Sequence, residues 1–177
     1  MGSSRRRATA VRRLLVAAVF AMQLAVAAPS SAVPPLRLER LTFVATHEAA
    51  AEIRVQADSA VIDDAANKAQ LERVDAEWAD AVGRPSLRVR CDRGELDLET
   101  NDLLASGNVH GQLADGRRFV APTLRYDRTR DLAYTREPVE ILEGAGRVLR
   151  GGGLEYHVKD RKLRLTSGAK VEERGTQ

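Results

Sequence analysis

Val89-Arg90-Cys91-Asp92-Arg93-Gly94-Glu95-Leu96-Asp97 decides the fold, because the chain writes the same pattern three more times. Val55 to Asp63, Phe119 to Asp127 and Leu149 to His157 superimpose on it, with starts 34, 30 and 30 residues apart. The first column is apolar (Val55, Val89, Phe119, Leu149). The second is small (Ala57, Cys91, Ala121, Gly151). A third falls at Ala60, Gly94, Leu124 and Leu154, and the fourth is apolar again (Ile62, Leu96, Tyr126, Tyr156). Self-similarity at about 30 residues marks a repeated supersecondary unit. Each unit closes on a second run after a polar turn: Val74, then Gly107-Asn108-Val109, Pro138-Val139 and Gly168-Ala169-Lys170-Val171.

The chemistry of the unit is β. Apolar and charged residues alternate through Ile53, Val55 and Ala57 and through Leu96 and Leu98, and Asp-, Asn- and Gly-rich turns separate the runs. The parity shifts inside every copy, since the third and fourth columns lie at odd offsets from the first two. A straight strand would send the two pairs to opposite faces. A bulge or bend at the small residue returns all four to one interior, and the sheet then wraps around an elongated core. Leu71, Val74, Trp78 and Val82 also fit a helical spacing, but the repeat assigns Val74 to a strand.

The first 32 residues differ from the rest. Arg5, Arg6, Arg7, Arg12 and Arg13 precede an apolar run of 15, Leu14 to Ala28, and Ser30 and Ala32 provide the small residues a signal peptidase needs. The segment 1–32 reads as a signal peptide or a retained membrane anchor, and either one exports the body, 33–177, as a single domain. Of the 28 Lys and Arg, these five lie in the leader, so the body holds 23 against 25 acids, a net of −2. That balance argues against a nucleic-acid partner. One Cys excludes an intramolecular disulfide, and Cys91 reads as a small buried apolar residue.

Nothing in the chain has the form of a catalytic or cofactor motif. Gly144-Ala145-Gly146 lacks the third glycine of a dinucleotide loop, and Gly151-Gly152-Gly153 lacks the Lys of a phosphate loop; both read as turns or bends. His47, His110 and His157 have no ligand spacing, so no metal or cofactor is expected. A carboxylate pair about 5–10 Å apart across a groove would mark a carbohydrate-active enzyme, but aromatics at 4% offer few rings for sugars. A structural β-repeat with a solid core is the other rival, and periodicity alone does not separate a core from a cleft.

The repeat resembles the OstA-like β-jellyroll of the lipopolysaccharide-export periplasmic proteins. The resemblance rests on Val89 to Asp97, Gly107-Asn108-Val109 and Ala121 to Asp127. Leu41-Thr42-Phe43, Thr135-Arg136-Glu137-Pro138-Val139 and Arg150 to Tyr156 make it most similar to the LptC type, and the likeness spans about Leu36 to Glu173. It implies an all-β fold of two curved antiparallel sheets enclosing an apolar groove. It implies no catalysis, a place in the periplasm (anchored in or docked at the inner membrane), and lipopolysaccharide as ligand through its lipid A acyl chains. It also implies an inner-membrane ABC transporter as donor and an LptA-like bridge protein as acceptor; the soluble LptA-type bridge remains the alternative. The groove residues expected are Phe43, Val55, Val89, Leu96, Phe119, Leu124, Tyr126, Ile141, Leu149, Leu154 and Tyr156. Docking is expected at the two sheet edges, through Leu41 and Phe43 at one and Leu163, Leu165, Ala169 and Val171, read as a final hairpin, at the other.

Overall fold

A computed structural model describes residues 35–46, 52–80 and 82–173. The segment 1–32, expected to be a signal peptide or anchor, His47 and the last four residues lie outside the described residues. Twelve antiparallel strands follow one another: β1 (Leu36–Ala45), β2 (Glu52–Asp63), β3 (Lys68–Ala79), β4 (Pro85–Asp97), β5 (Leu103–Leu113), β6 (Arg118–Asp127), β7 (Leu132–Thr135), β8 (Val139–Leu142), β9 (Arg147–Gly151), β10 (Gly153–His157), β11 (Lys162–Thr166) and β12 (Lys170–Glu173). The segment around Trp78 is strand, as the repeat requires.

The long strands β1 to β6 pair consecutively, and then the sheet divides. The second half of β6 pairs β7, which continues to β10 and β11; its first half pairs β8, which continues to β9 and β12. Thus β7 and β8, β9 and β10, and β11 and β12 are each one long strand interrupted in the middle. The interruption continues a line that crosses β1 to β6. Ladder pairing skips Arg40, Asp58 and Arg73, and registers slip at Arg90/Arg93 and Ser106/Val109. The same line then passes Arg136 to Pro138, Gly152 and Ser167-Gly168. Along this corner the sheet folds over, giving two layers of nine strand segments each.

Left-handed backbone makes the corner. Arg40, Arg73, Gly107, Asn108, Ser167 and Gly168 all have φ between 47° and 76°, a conformation that aims the chain out of the pleat. Arg73 pairs with Asp58 on the neighbouring strand. Asn108 Nδ2 donates to Asp92 Oδ2 at 2.7 Å. Cross-strand partners thus hold the exposed ridge on its outer side.

The bend falls one residue later than the sequence suggests. Ala57, Cys91, Ala121 and Gly151 stay buried and face inward; the residue that turns is the next one, Asp58, Asp92, Pro122 or Gly152. One corner residue between columns two and three converts the odd offset into a common facing. The small residue is needed because it sits inside the fold, where the two layers approach most closely. A second correction concerns the C-terminus. Lys162 to Thr166 and Lys170 to Glu173 do not form a hairpin with each other: β11 pairs β10 and β12 pairs β9. Ser167-Gly168 is a corner of the same kind as Gly107-Asn108.

The turns at the far ends explain the Asp that follows column four. Asp63 Oδ1 accepts the Ala66 N–H (3.1 Å), Asp97 Oδ1 the Glu99 and Thr100 N–H (3.0 and 2.8 Å), and Asp127 Oδ1 the Arg130 N–H (2.9 Å). A short carboxylate that caps its own turn stops the strand and fixes its register.

Candidate functional site

The columns of the repeat become rows across the sheets. In one layer Phe43, Val55, Ala76, Val89, Gly111, Phe119, Ile141, Leu149 and Val171 stand directly opposite one another, strand by strand, from β1 to β12. In the other layer Leu36, Ile62, Ala69, Leu96, Leu103, Tyr126, Ala133, Tyr156 and Leu163 do the same from β1 to β11. Opposed residues of an antiparallel pair share a face, so each row is an unbroken apolar path through its layer.

Of the residues expected to line the interior, Val55, Val89, Leu96, Phe119, Leu124, Tyr126, Ile141, Leu154 and Tyr156 are buried in one cluster, and Phe43 and Leu149 pack half-buried against it. The interior residues expected from the sequence left out Leu71, Ala76 and Leu113, and Val109 of the closing run, which line the same interior from the returning strands. Their alternation is as regular, but the repeat marks those strands by one valine after a turn and not by four columns. Phe119 is accommodated by Gly111 opposite it, where a Cβ would stand 2.0 Å from the ring.

The rows end at open edges. Among the described residues β1 pairs with β2 alone, β11 with β10 and β12 with β9. Leu36 is 53% exposed and Val171 61% exposed, so each row meets solvent through an apolar side chain at one end. Leu41, Leu163 and Leu165 are half-buried beside these ends, and Ala169 is exposed.

Outside, the layers are polar and paired. Asp75 accepts from Arg88 (2.9 and 2.6 Å) and from Arg90 (3.0 Å), and the Arg88 contact above all holds its carboxyl below the usual range. His110 and His157 are exposed, and among the described residues no group of His, Cys, Asp or Glu is placed to hold a metal. No helix among the described residues is long and apolar enough to cross a membrane.

The long side opposite the corner is a mouth between the layers, shut by side chains. Trp78 of one layer meets Tyr126 of the other, ring centroids 5.0 Å apart and planes at 57°. The Tyr126 hydroxyl donates to Asp131 Oδ1 (2.9 Å). At the start of β4 the register slips, with Trp78 opposite Leu87 but Ala79 opposite Pro85, leaving Ser86 as an extra residue turned inward. Ser86 Oγ donates to the Val158 carbonyl (2.5 Å), and Tyr156 Oη donates to the Ser86 carbonyl (3.0 Å). Arg161 Nη2 reaches Asp80 Oδ2 (2.9 Å), and Arg128 Nη2 reaches the Thr46 carbonyl (3.1 Å).

Comparison with known proteins places this geometry. The sequence profile of the LptC-related lipopolysaccharide-assembly family matches residues 13–172, beginning one residue before the apolar run Leu14 to Ala28. The chain is similar in fold to LptH, the LptA-homologous periplasmic component of the lipopolysaccharide transport device of Pseudomonas aeruginosa, with a TM-score of 0.52 at 17% identity. That match covers 70% of this chain and 95% of the other. No curated protein sequence matches.

Proposed function

Because the chain belongs to the LptC-related family and so serves lipopolysaccharide transport, we propose that it is a non-catalytic carrier: it takes lipopolysaccharide from an inner-membrane ABC transporter and hands it to a periplasmic bridge protein of similar fold. The observation that carries this reading is the pair of apolar rows running from edge to edge of the two layers. Exposing ten methylenes of an acyl chain to water costs about 8 kcal/mol at ~0.8 each. A relay therefore needs apolar surface that continues from one protein into the next. Strand pairing at open edges supplies that continuity, since it aligns the rows of both partners. Phe43, Val55, Val89, Leu96, Phe119, Leu124, Tyr126, Ile141, Leu149, Leu154 and Tyr156 would then hold the acyl chains.

 The rival, a scaffold with a solid core, draws on the full burial of Trp78, Phe119 and Tyr156.

Photo-crosslinking separates the two. A crosslinker at Phe119 or Tyr126 is expected to capture labelled lipopolysaccharide, and one at the outward, exposed Arg125 is not. Equal labelling from both faces, or none from the interior, overturns the carrier reading.

A further inference from the structure

The outer face of the layer that holds the Phe43 row gathers charge of one sign on β4, β5 and β6. Arg90 stands opposite His110, and Arg88 stands opposite Gln112, which in turn faces Arg118. All five are exposed. They wall a cleft of about 180 Å³ that Gly111 and Phe119 close from below. Other clefts at the surface each include an acid in the wall, Glu77, Glu72, Glu95 or Glu137 among them. This one is lined by three guanidinium groups and an imidazole, and by no carboxylate. It does so in a body where acids outnumber Lys and Arg.

The second observation is how the neighbouring acids are used. Asp75 on β3 takes Arg88 through both oxygens (2.9 and 2.6 Å) and Arg90 at 3.0 Å. One carboxylate thus fixes two guanidinium groups side by side and neutralises only one of them. Glu140, opposite Val120, is held by Arg150 at 2.8 Å. Glu77, opposite Arg88, acts on that arginine as a neighbouring charge. Arg118 forms no ion pair with a described residue. Like charges on adjoining strands repel, and an oxyanion in the cleft relieves the repulsion. A guanidinium is a planar fork of donors that fits carboxylate and phosphate oxygens alike. Forks arriving from β4 on one wall and β6 on the other exceed what two carboxylate oxygens accept. They suit a tetrahedral oxyanion.

We propose that Arg88, Arg90, His110, Gln112 and Arg118 form a binding site for a phosphate group on the outer face of the sheet. Asp75 is its positioning residue, since it aims the two arginines of β4. Arg118 supplies the fork of the far wall, and His110 and Gln112 donate between them. The sheet itself separates this site from the apolar rows, so the site stands apart from the carrier reading. Two bearers present such a group: a sugar phosphate, as in a glycolipid headgroup, and a glycerol phosphate, as in a membrane phospholipid.

Nuclear magnetic resonance of the full chain tests the site. The chain is titrated at constant ionic strength with inorganic phosphate, glucose phosphate and glycerol phosphate, and with glucose and glycerol as uncharged controls. Saturable shifts are expected at the Gly111 and Gln112 amides and the Arg118 guanidinium with each phosphate, and with neither control. The tighter of the two esters identifies the bearer. Arg118→Gln is expected to weaken phosphate about tenfold, the worth of one charge-assisted hydrogen bond. Arg118→Lys keeps the charge without the fork and is expected to recover part of that loss. Arg54→Gln, on the same face but paired with Glu52, is expected to change nothing. Asp75→Asn separates a built site from plain charge. It removes a negative charge, which by charge alone tightens an anion, yet it frees both arginines of β4 and is expected to weaken phosphate severalfold. Tighter binding by Asp75→Asn, or an equal loss in Arg54→Gln, overturns the site in favour of diffuse attraction. Absence of saturable shifts with every phosphate also overturns it, and leaves loading at Phe119, which reads the carrier, as a separate result.

Discussion

Gly111 and Phe119 face each other across β5 and β6, and the ring occupies the space a side chain at Gly111 would need. A methyl there would lie 2.0 Å from both Cε1 and Cζ and 2.7 Å from Cδ1. Gly111→Ala must therefore displace a buried aromatic ring of its row. Overpacking of this kind costs about 1–3 kcal/mol, and urea unfolding measures it. Phe119→Leu in the Gly111→Ala background is expected to recover part of the loss, because the shorter side chain vacates the site. If the two substitutions simply add, the steric account of the row is wrong.

The corner gives a second expectation. Gly107 has φ +73°, and a Cβ would meet Asp92 Oδ2 at 3.0 Å. Asn108, at φ 47°, donates to that same carboxylate. Gly107→Ala incurs left-handed strain and crowds Asp92, a loss of about 1–2 kcal/mol. Asn108→Gly keeps the backbone but drops the hydrogen bond, and at this exposed site is expected to cost about 0.5 kcal/mol. Thermal melts of the two variants test the order. A larger loss for Asn108→Gly would show that the bond, and not the backbone, makes the corner.

These positions also show what the sequence discloses. The four columns were legible because each pair keeps the period of two and the odd offset between pairs demands a bend. The residue that bends was not legible: small residues serve both as close-packed interior positions and as corners, and only the structure separates Cys91 from Asp92. Ser167-Gly168 was misread as a hairpin turn for a related reason, since Ser, Asn and Gly adopt left-handed backbone in turns and corners alike. The side-chain contacts that shut the mouth left no periodic trace at all. Ser86 is out of register by being a bulge, and Asp80 and Arg161 meet across 81 positions of chain. The interior row residues, in contrast, announce themselves by alternation whether they hold a ligand or only one another.

Cys91 yields a pH prediction. It is buried, its thiol donates to the Arg93 carbonyl (3.1 Å), and burial pushes its pKa up to about 11 from the usual 9.0. A pKa raised by folding contributes stability that is whole below the unfolded value and is lost as pH rises from about 9 through 11. The stability advantage of the native chain over Cys91→Ala is therefore expected to shrink across that window and to be constant below it. At pH 8 the two-unit shift lowers the thiolate fraction about 100-fold, so reaction with a disulfide reagent is expected to be at least ~100-fold slower than in urea. Rapid labelling of the folded protein would mean that the interior opens beside Cys91.

The C-terminal edge supplies the test of hand-on. In β12, Val171 lies opposite Leu149 and ends one apolar row, 61% exposed, while the other side of the strand has no partner among the described residues. On β11, Lys162 and Arg164 are 77% and 78% exposed, and with the exposed Lys170 they place like charges along both edges. Such edges resist pairing with their own copies yet leave backbone groups to a partner strand. Val171→Pro is expected to leave loading at Phe119 unchanged and to slow transfer to a bridge protein of the same fold. Losing one ladder donor and disturbing the strand costs about 1–3 kcal/mol at the contact, or roughly 5- to 150-fold in affinity. Removing 170–177 takes away β12 and leaves β11, which is paired independently to β10, and is expected to abolish transfer. Pulse-chase crosslinking, first on this chain and then on its acceptor, follows both steps in one experiment. Transfer at the normal rate from the truncated chain would move the docking edge elsewhere, to β1, where Leu36 ends the row of the other layer.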